Sequence, residues 1–413
     1  MNQSPYPLWE AYGVELEYMI VDSESFNVRP ICDELLKSVA GRYVSDVERG
    51  ALAWSNELAL HVVEIKTNGP VASLAGLAKK FQQEVLEIES RLKPLGACLL
   101  PTAMHPWMNP DREMRLWPHD YSPIYEAYDR IFDCRGHGWA NLQSAHLNYS
   151  FANDREFASL HAAIRLVLPL LPTLAASSPV CDGRLTGLAD TRLDVYRKNA
   201  RRIPEVAGFV IPETVSSRAE YEEKIFAPMY RAIAPYDPDH LLQDEFLNSR
   251  GAIARFERGS IEIRLLDVQE CPANDLAIAE VVTTLLKELT EARWSSLSDQ
   301  QSIPVATLVD VLSRSTELAE ESVISETQFL RIFGLQDARL SAREFWQRII
   351  PQLELTSETQ MRIQRILELG TLSTRLKQSV SETPVHQELL QVYRQLAECL
   401  RTGATYVPER DIR

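Results

Sequence analysis

The sequence predicts an α+β fold, a largely antiparallel sheet with packed helices, followed by a helical C-terminal extension. Strand-like and helix-like segments alternate without the short, regular βαβ cycle of a doubly wound sheet. Neither G-x-x-x-x-G-K-[ST] nor G-x-G-x-x-G occurs, so no glycine-rich phosphate loop follows a strand. Three segments, 13–17, 146–148 and 260–267, set acidic or metal-capable residues at alternate positions between apolar ones. Residues i and i+2 of a strand share a face, so Glu15 projects with Glu17, His146 with Asn148, and Glu262 with Arg264.

The elements follow in order. Alternation makes 12–21 a strand and 31–39 a short helix. Residues 58–66 read as a strand ended by the turn Asn68-Gly69-Pro70. Leu74, Leu77, Phe81, Val85, Ile88 and Leu92 recur at helical spacing, with Pro94 and Gly96 beyond as stop signals. A short strand at 97–102 leads into His105, which could lie at the mouth of a site. A helix at 121–132, a strand at 143–151 and a helix at 156–176 capped by Asp154 come next. After them come a short strand at 206–212, a helix at 220–230, a strand at 255–267 and a long helix at 273–294. Residues 1–295 are expected to form the catalytic domain. Residues 296–413 are expected to be a helical extension that packs on it or makes an oligomer contact, with helices at 307–313, 342–353, 359–370 and 385–401 and a loose tail from 406.

Composition narrows the function. The chain has 413 residues, 45% hydrophobic and 24% charged, as in an ordinary soluble protein. A net charge of −15 argues against nucleic-acid binding through a basic surface, without excluding an anionic substrate in a local cleft. Six scattered cysteines form no C-x-x-C pair, which suits reduced thiols in a cytoplasmic protein. No signal peptide and no membrane-spanning stretch is expected.

Two carboxylates on one strand face repel unless a cation lies between them or solvent screens them. Glu15 and Glu17 therefore mark either a cation site or a solvated edge strand; the apolar residues around them favour a central strand. Glu64 is the single acid on an otherwise apolar face. Glu57 has the opposite parity and joins it only if the chain bends near Ser55. His146 reads as a core histidine or a ligand. Glu262 and Arg264 form a salt bridge or, with divalent metal, a site for a phosphoryl group. Arg192 and Arg197 fall in a polar stretch, 190–197, read as a loop that is either solvated or carboxylate-binding.

G-V-E-L-E at 13–17, E-I-K-T-N-G-P at 64–70, H-x-N at 146–148 and G-S-I-E-I-R-L-L-D at 259–267 occur in that order. This resembles the bacterial glutamate–cysteine ligase type 2 family of carboxylate–amine ligases, in the glutamine synthetase-like superfamily, over roughly residues 12–294. The resemblance implies a sheet curved into a half-barrel around two or three Mg²⁺ ions. It also implies ATP-dependent activation of an amino acid carboxylate, the glutamate γ-carboxyl by default, as an acyl phosphate, then attack by an amine, cysteine by default, as in glutathione biosynthesis. Carried over, Glu15, Glu17, Glu64, His146 and Glu262 are metal ligands, and Glu57 is a further candidate ligand if the chain bends near Ser55. Arg264 would hold the γ-phosphate and is catalytic with Glu262, Arg264 and Asn148 are expected at the nucleotide, and Arg192 matches an arginine near the substrate loop; Arg197, in the same polar stretch, and His105, at a strand end, are substrate candidates from the residues alone. The implied partners are small amino acid and amine substrates; a homo-oligomer is the separate expectation that the helical extension raises, and neither nucleic acid nor membrane is expected. The departure is Asn148, where many relatives carry H-x-H; an amide is the weaker metal ligand. A non-catalytic ATP- or amino-acid-binding relative and a guanidino-kinase-type phosphotransferase are the two other readings.

Overall fold

An eight-stranded antiparallel sheet organises the computed structural model, which describes residues 6–408. The strands are β1 (Tyr12–Asp22), β2 (Asp46–Arg49), β3 (Leu52–Asn56), β4 (Val62–Thr67), β5 (Ala97–Leu100), β6 (Ser144–Ser150), β7 (Ala252–Arg255) and β8 (Ser260–Asp267). Their order is β2-β3-β4-β1-β6-β8-β7, with β5 also on β1. The sheet is open and curved. β1 is central because it pairs along both edges: Glu15 to Met19 with β4, Tyr12 to Leu16 with β6, and Met19 to Asp22 with β5.

Alternation assigns the two faces. Val14, Leu16, Tyr18 and Ile20 of β1, with Ile65, Leu147, Ile261 and Ile263, join the main core. Helices α1 (Leu77–Leu92), α2 (Asp154–Val167) and α3 (Pro272–Thr290) cover that face. α1 presents Leu77, Phe81, Val85, Ile88 and Leu92, spaced three or four apart, as one buried stripe. The Tyr149 hydroxyl, 3.0 Å from Thr283 Oγ1, ties β6 to α3. The opposite face carries Glu15 and Glu17, then Met19 and Val21. Those last two pack in a second cluster with Leu389, Tyr393 and Leu396 of helix α4 (His386–Thr402). The C-terminal helix therefore covers the far end of the acidic face. The main core runs unbroken into residues beyond 296, through Leu308, Phe345 and Ile363.

Several local expectations are corrected. Residues 46–56 form a hairpin that the sequence reading passed over, and the strand expected from 58 starts at Val62. Asn153, not Asp154, caps α2 by accepting from the Glu156 amide at 3.1 Å. Pro169 and Pro172 break the expected helix after Val167, because proline lacks the amide a helix interior needs. The segment 206–212 holds a 3-10 turn and an isolated bridge rather than a strand. The strand expected over 255–267 is a hairpin, β7–β8. The supposed loop at 190–197 is the helix Thr191–Asn199, capped by Asp190. Tyr406 is buried, its amide donating to Glu270 Oε1 at 3.0 Å, so the tail is anchored there; residues 409–413 and 1–5 lie outside the described residues. None of the described cysteines is disulfide-bonded. No helix among the described residues is long and apolar enough to cross a membrane.

Candidate functional site

Cross-strand register assembles the site. Glu15 lies opposite His146 on β6 and opposite Lys66 on β4; Glu17 lies opposite Glu64; Asn148 faces Gly13 on one side and Glu262 on the other. Opposed residues share a face, so four strands deliver these side chains to one concave surface. They line a cleft of about 1420 Å³, larger than the roughly 300–1,000 Å³ of an ordinary small-molecule site. Gly13 keeps the floor low: a Cβ there would sit 3.0 Å from Asn148 Cβ.

His146 is the hub. Its Nδ1 donates to Glu15 Oε2 at 2.9 Å and lies 3.9 Å from Glu262 Oε1; its Nε2 donates to Ser144 Oγ at 2.8 Å and lies 3.8 Å from Glu17 Oε1. Ser144 in turn gives its amide and hydroxyl to Glu17. Burial would lower the imidazole, but the Glu15 hydrogen bond and the charges of Glu17, Glu15 and Glu262 raise it to about 9. Burial pushes Glu15 upward, and the His146 hydrogen bond and charge bring it down to about 2. Glu64 has no such relief: burial and Glu15 push it to about 7 against the pull of Lys66. Burial, with Glu17 and Glu64, holds Glu57 well above the usual carboxylate range.

Two sets of donor atoms lie within 4.8 Å of one another, Glu15–Glu64–His146 and Glu17–Glu57–Glu64. Hard, oxygen-rich donors on this scale suit Mg²⁺ or Ca²⁺. The acids pushed upward by their neighbours are the ones a dication would return to the ionised form. The donor set thus fits a divalent ion. Glu57 reaches it because β3 ends at Asn56, which frees the chain from the strand parity that would have turned it away.

Glu262, 3% exposed, anchors two guanidinium groups: Arg264 Nε at 2.5 Å and Arg255 Nη1 at 3.6 Å. Arg264 reaches the cleft, as does Asn148, whose Nδ2 donates to Glu15 Oε1 at 3.1 Å. Lys66 lies 3.1 Å from Glu64, and Ser55 donates to the same carboxylate at 2.6 Å. Sequence reasoning assigned no role to Lys66, Ser55, Ser144 or Arg255; Lys66 was legible, two positions from Glu64 on one strand.

The three residues expected to meet substrate part company. Arg192 lines the cleft but is 1% exposed and clamped, its Nε 2.5 Å from Asp267 Oδ1. Arg197 points to Ser313 Oγ, 3.3 Å away, outside the cleft lining. His105 is buried elsewhere, its Nε2 donating to the Phe26 carbonyl at 2.8 Å and its Nδ1 accepting from the Trp107 amide. Local backbone structure displaces each of the last two in its own way. A helix, not a loop, carries Arg197 away from the cleft, and the strand ahead of His105 ends at Leu100, leaving the histidine inside the following turn.

A second donor group, His137, Cys181 and Asp182, lies apart from the cleft. Asn141 Oδ1 accepts from the His105 amide and its Nδ2 donates to the His105 carbonyl, which fixes the amide's orientation. That Nδ2 also donates to His137 Nδ1, so the ring proton is on Nε2 and points to Asp182 Oδ1 at 3.1 Å. The trio reads as a hydrogen-bonded set.

The model of the family described as "Glutamate-cysteine ligase family 2" matches residues 11–322. An uncharacterized protein of Archaeoglobus fulgidus is 32% identical over 96% of this chain and 100% of its own length. The crystal structure of glutamate–cysteine ligase from Francisella tularensis in complex with AMP superposes with a TM-score of 0.57 at 12% identity, covering 95% of this chain and 89% of that one. At that identity the likeness speaks for the fold.

Proposed function

The chain belongs to glutamate–cysteine ligase family 2, and from that premise we propose that it is an ATP- and Mg²⁺-dependent ligase coupling an amino acid carboxylate, glutamate's γ-carboxyl by default, to an amine. The observation that carries this reading is the convergence of Glu15, Glu17, Glu64, His146 and Glu262 with Arg264 in one cleft.

A carboxylate is a poor acyl donor because its leaving group would be oxide. Transfer of the γ-phosphoryl group from ATP makes an acyl phosphate and ADP. The amine nitrogen then bonds to the acyl carbon, the carbon–oxygen bond to phosphate breaks, phosphate leaves with the electron pair, and the nitrogen releases a proton. No side-chain nucleophile is needed. The protein's task is to position reactants and preorganise charge.

Arg264, steadied by Glu262, faces the transferring phosphoryl group, and Asn148 offers its amide to the nucleotide. Glu15, Glu64 and His146, the last after losing its imidazolium proton, would hold one ion and Glu17, Glu57 and Glu64 another, with Glu262 beside the first group. Bound there, Mg²⁺ supplies positive charge that neutralises phosphate oxygens. Lys66 and Ser55 fix the Glu64 carboxylate, and Ser144 fixes Glu17.

The test is phosphate release from ATP with Mg²⁺ and a panel of amino acids and amines. The proposal expects release only when an acid and an amine are both present, with an amide product. ADP with a stable phosphorylated product would instead indicate a kinase, and binding without turnover an inactive relative. Glu262→Gln is expected to abolish turnover in a folded protein; full activity in that variant contradicts the assignment.

A further inference from the structure

We infer that the acceptor amine carries a bulky apolar substituent, aromatic or branched aliphatic, that packs on Tyr128, Trp139, Leu142 and Phe246 at one end of the cleft. The inference rests on the ligase reading and narrows its amine. These side chains come from the helix Ser122–Phe132, the segment 137–142 and the turn Glu245–Leu247, and all line the cleft. The Tyr128 and Trp139 ring centroids are 5.3 Å apart, and those of Tyr128 and Phe246 6.5 Å. Their polar handles are spent on the protein: the Tyr128 hydroxyl donates to the Phe246 carbonyl at 3.3 Å, and Trp139 Nε1 to the Asn199 carbonyl at 3.2 Å. What remains for a ligand is ring carbon. Trp139, Leu142 and Phe246 stay half-buried, with surface that no described residue covers.

Charge decides which reactant belongs there. A triphosphate seeks cations; besides the shared Arg264 the cleft lining offers Lys66, held by Glu64 and Asp46, Arg255, held by Glu262 and Glu245, and Arg258, which follows β7 where Arg255 lies opposite Ser260 at the Ser150 end of the sheet. The Arg258 side chain makes no ion pair among the described residues, whereas Arg192, near the aromatic end, is committed to Asp267. The aromatic end thus lacks the free positive charge a nucleotide demands. It offers a small polar amine little, and an apolar one a gain of about fourfold in affinity per buried methylene.

The test uses the full chain with ATP, Mg²⁺, a panel of amino acid donors, and methylamine, cysteine, isoamylamine and phenethylamine as acceptors. Phosphate release and amide mass are the readouts. The expected result is a kcat/KM for phenethylamine or isoamylamine at least about 30-fold above that for cysteine. Trp139→Ala raises the KM for that amine about tenfold or more and the ATP KM by less than about twofold; Trp139→Phe recovers most of the loss. Should Trp139→Ala not fold, Phe246→Ala serves, with the same expectation. A flat panel, a preference for cysteine, or a rise confined to the ATP KM overturns the inference while leaving the ligase reading intact; the last outcome assigns the wall to adenine. No phosphate release with any pair overturns both.

Discussion

Glu15 and His146 face each other across β1 and β6, with Oε2 and Nδ1 2.9 Å apart, and each holds the other in its charged form. The imidazolium is the positive centre of a ring of carboxylates, so its removal leaves several acids facing one another. Breaking a buried pair by deleting one partner costs about 3–5 kcal/mol. His146→Ala should lose stability on that scale in metal-free buffer and recover much of it with saturating Mg²⁺, which replaces the lost charge. Urea melts with and without Mg²⁺ measure both. An equal loss in the two buffers counts against cation binding at this cluster.

The Mg²⁺ effect on wild type should depend on pH in a defined direction. Burial and Glu15 raise Glu64 from 4.5 to about 7 in the folded state, so between those values the folded chain holds a proton that the unfolded chain has released. That contribution to stability is complete below pH 4.5 and is lost as pH rises through 7. Ion binding requires the deprotonated carboxylate, so the gain in Tm from Mg²⁺ grows as pH climbs from about 5.5 to about 8. Glu64→Gln should shrink the gain and flatten its pH dependence. A gain that falls over this range contradicts the ligand assignment.

Most of the acidic face was legible because a strand's period of two is rigid. Glu15, Glu17, His146 and Glu262 needed only parity; the strands bearing the first three were found within one residue, whereas the fourth's was expected five residues early, across the β7–β8 turn. Parity failed where the backbone departs from it. Glu57 lies past the end of β3. Asp267 has the wrong parity to share Glu262's face, yet it pairs with Ser144 because a bulge between Ile263 and Leu266 inserts one residue. Arg197 and His105 lie away from the cleft expected to receive them, and Arg192 lines it as a buried ion-pair partner of Asp267. A polar stretch without apolar periodicity resembles a loop, although Asp190 accepting from the Leu193 amide starts a helix there. Partners distant in sequence, such as Asp267 for Arg192, carry no local signal.

The bulge has a testable support. Gly251 gives its carbonyl to the Arg264 amide at 2.9 Å, and a Cβ on it would lie 2.6 Å from Leu265 Cδ1 and 2.7 Å from Leu265 Cγ. Gly251→Ala must therefore move Leu265 or β8 itself, and Arg264 moves with it. The expected result is a fall in turnover of about a hundredfold, since a displacement of about 1 Å costs that much in a positioned site. Arg197→Ala, whose guanidinium bonds Ser313 outside the cleft, should remain within about twofold of wild type. Steady-state kinetics on both variants compare the two; equal activities would show that the bulge does not position the arginine.

Asp267 and Arg192 are 1% exposed or less, and Asp267 also accepts from the Ser177 amide and the Ser178 hydroxyl at 2.8 and 2.9 Å. Asp267→Asn leaves a guanidinium buried without its counter-charge and should cost about 3–5 kcal/mol. The double change Asp267→Leu with Arg192→Met removes both charges and should recover a large part of that loss, because the penalty comes from the unpaired charge. Denaturant unfolding of the single and double variants reads this directly. Additive losses would argue that packing, not charge, dominates.

His161 predicts how the protein fails in acid. The residue is 1% exposed, its ring packs against Phe157 at a centroid distance of 5.3 Å, and neither ring nitrogen has a partner among the described residues. Burial, with the nearby Arg165 charge, lowers it to about 3. The unfolded chain takes up a proton near the ordinary 6.5 while the folded chain does not, so this contribution is intact above 6.5 and is lost as pH falls toward 3. The slope is about 1.4 kcal/mol per pH unit once the unfolded histidine is protonated. His161→Phe fills the same apolar space without a titrating group. Between pH 6.5 and 5 its stability should fall by about 1–2 kcal/mol less than that of wild type. His61, buried with both nitrogens unpartnered and also lowered to about 3, accounts for part of the remaining slope, so the double variant should be flatter again. An unchanged slope in His161→Phe would mean that the ring is already protonated in the folded protein, with a partner inside the core.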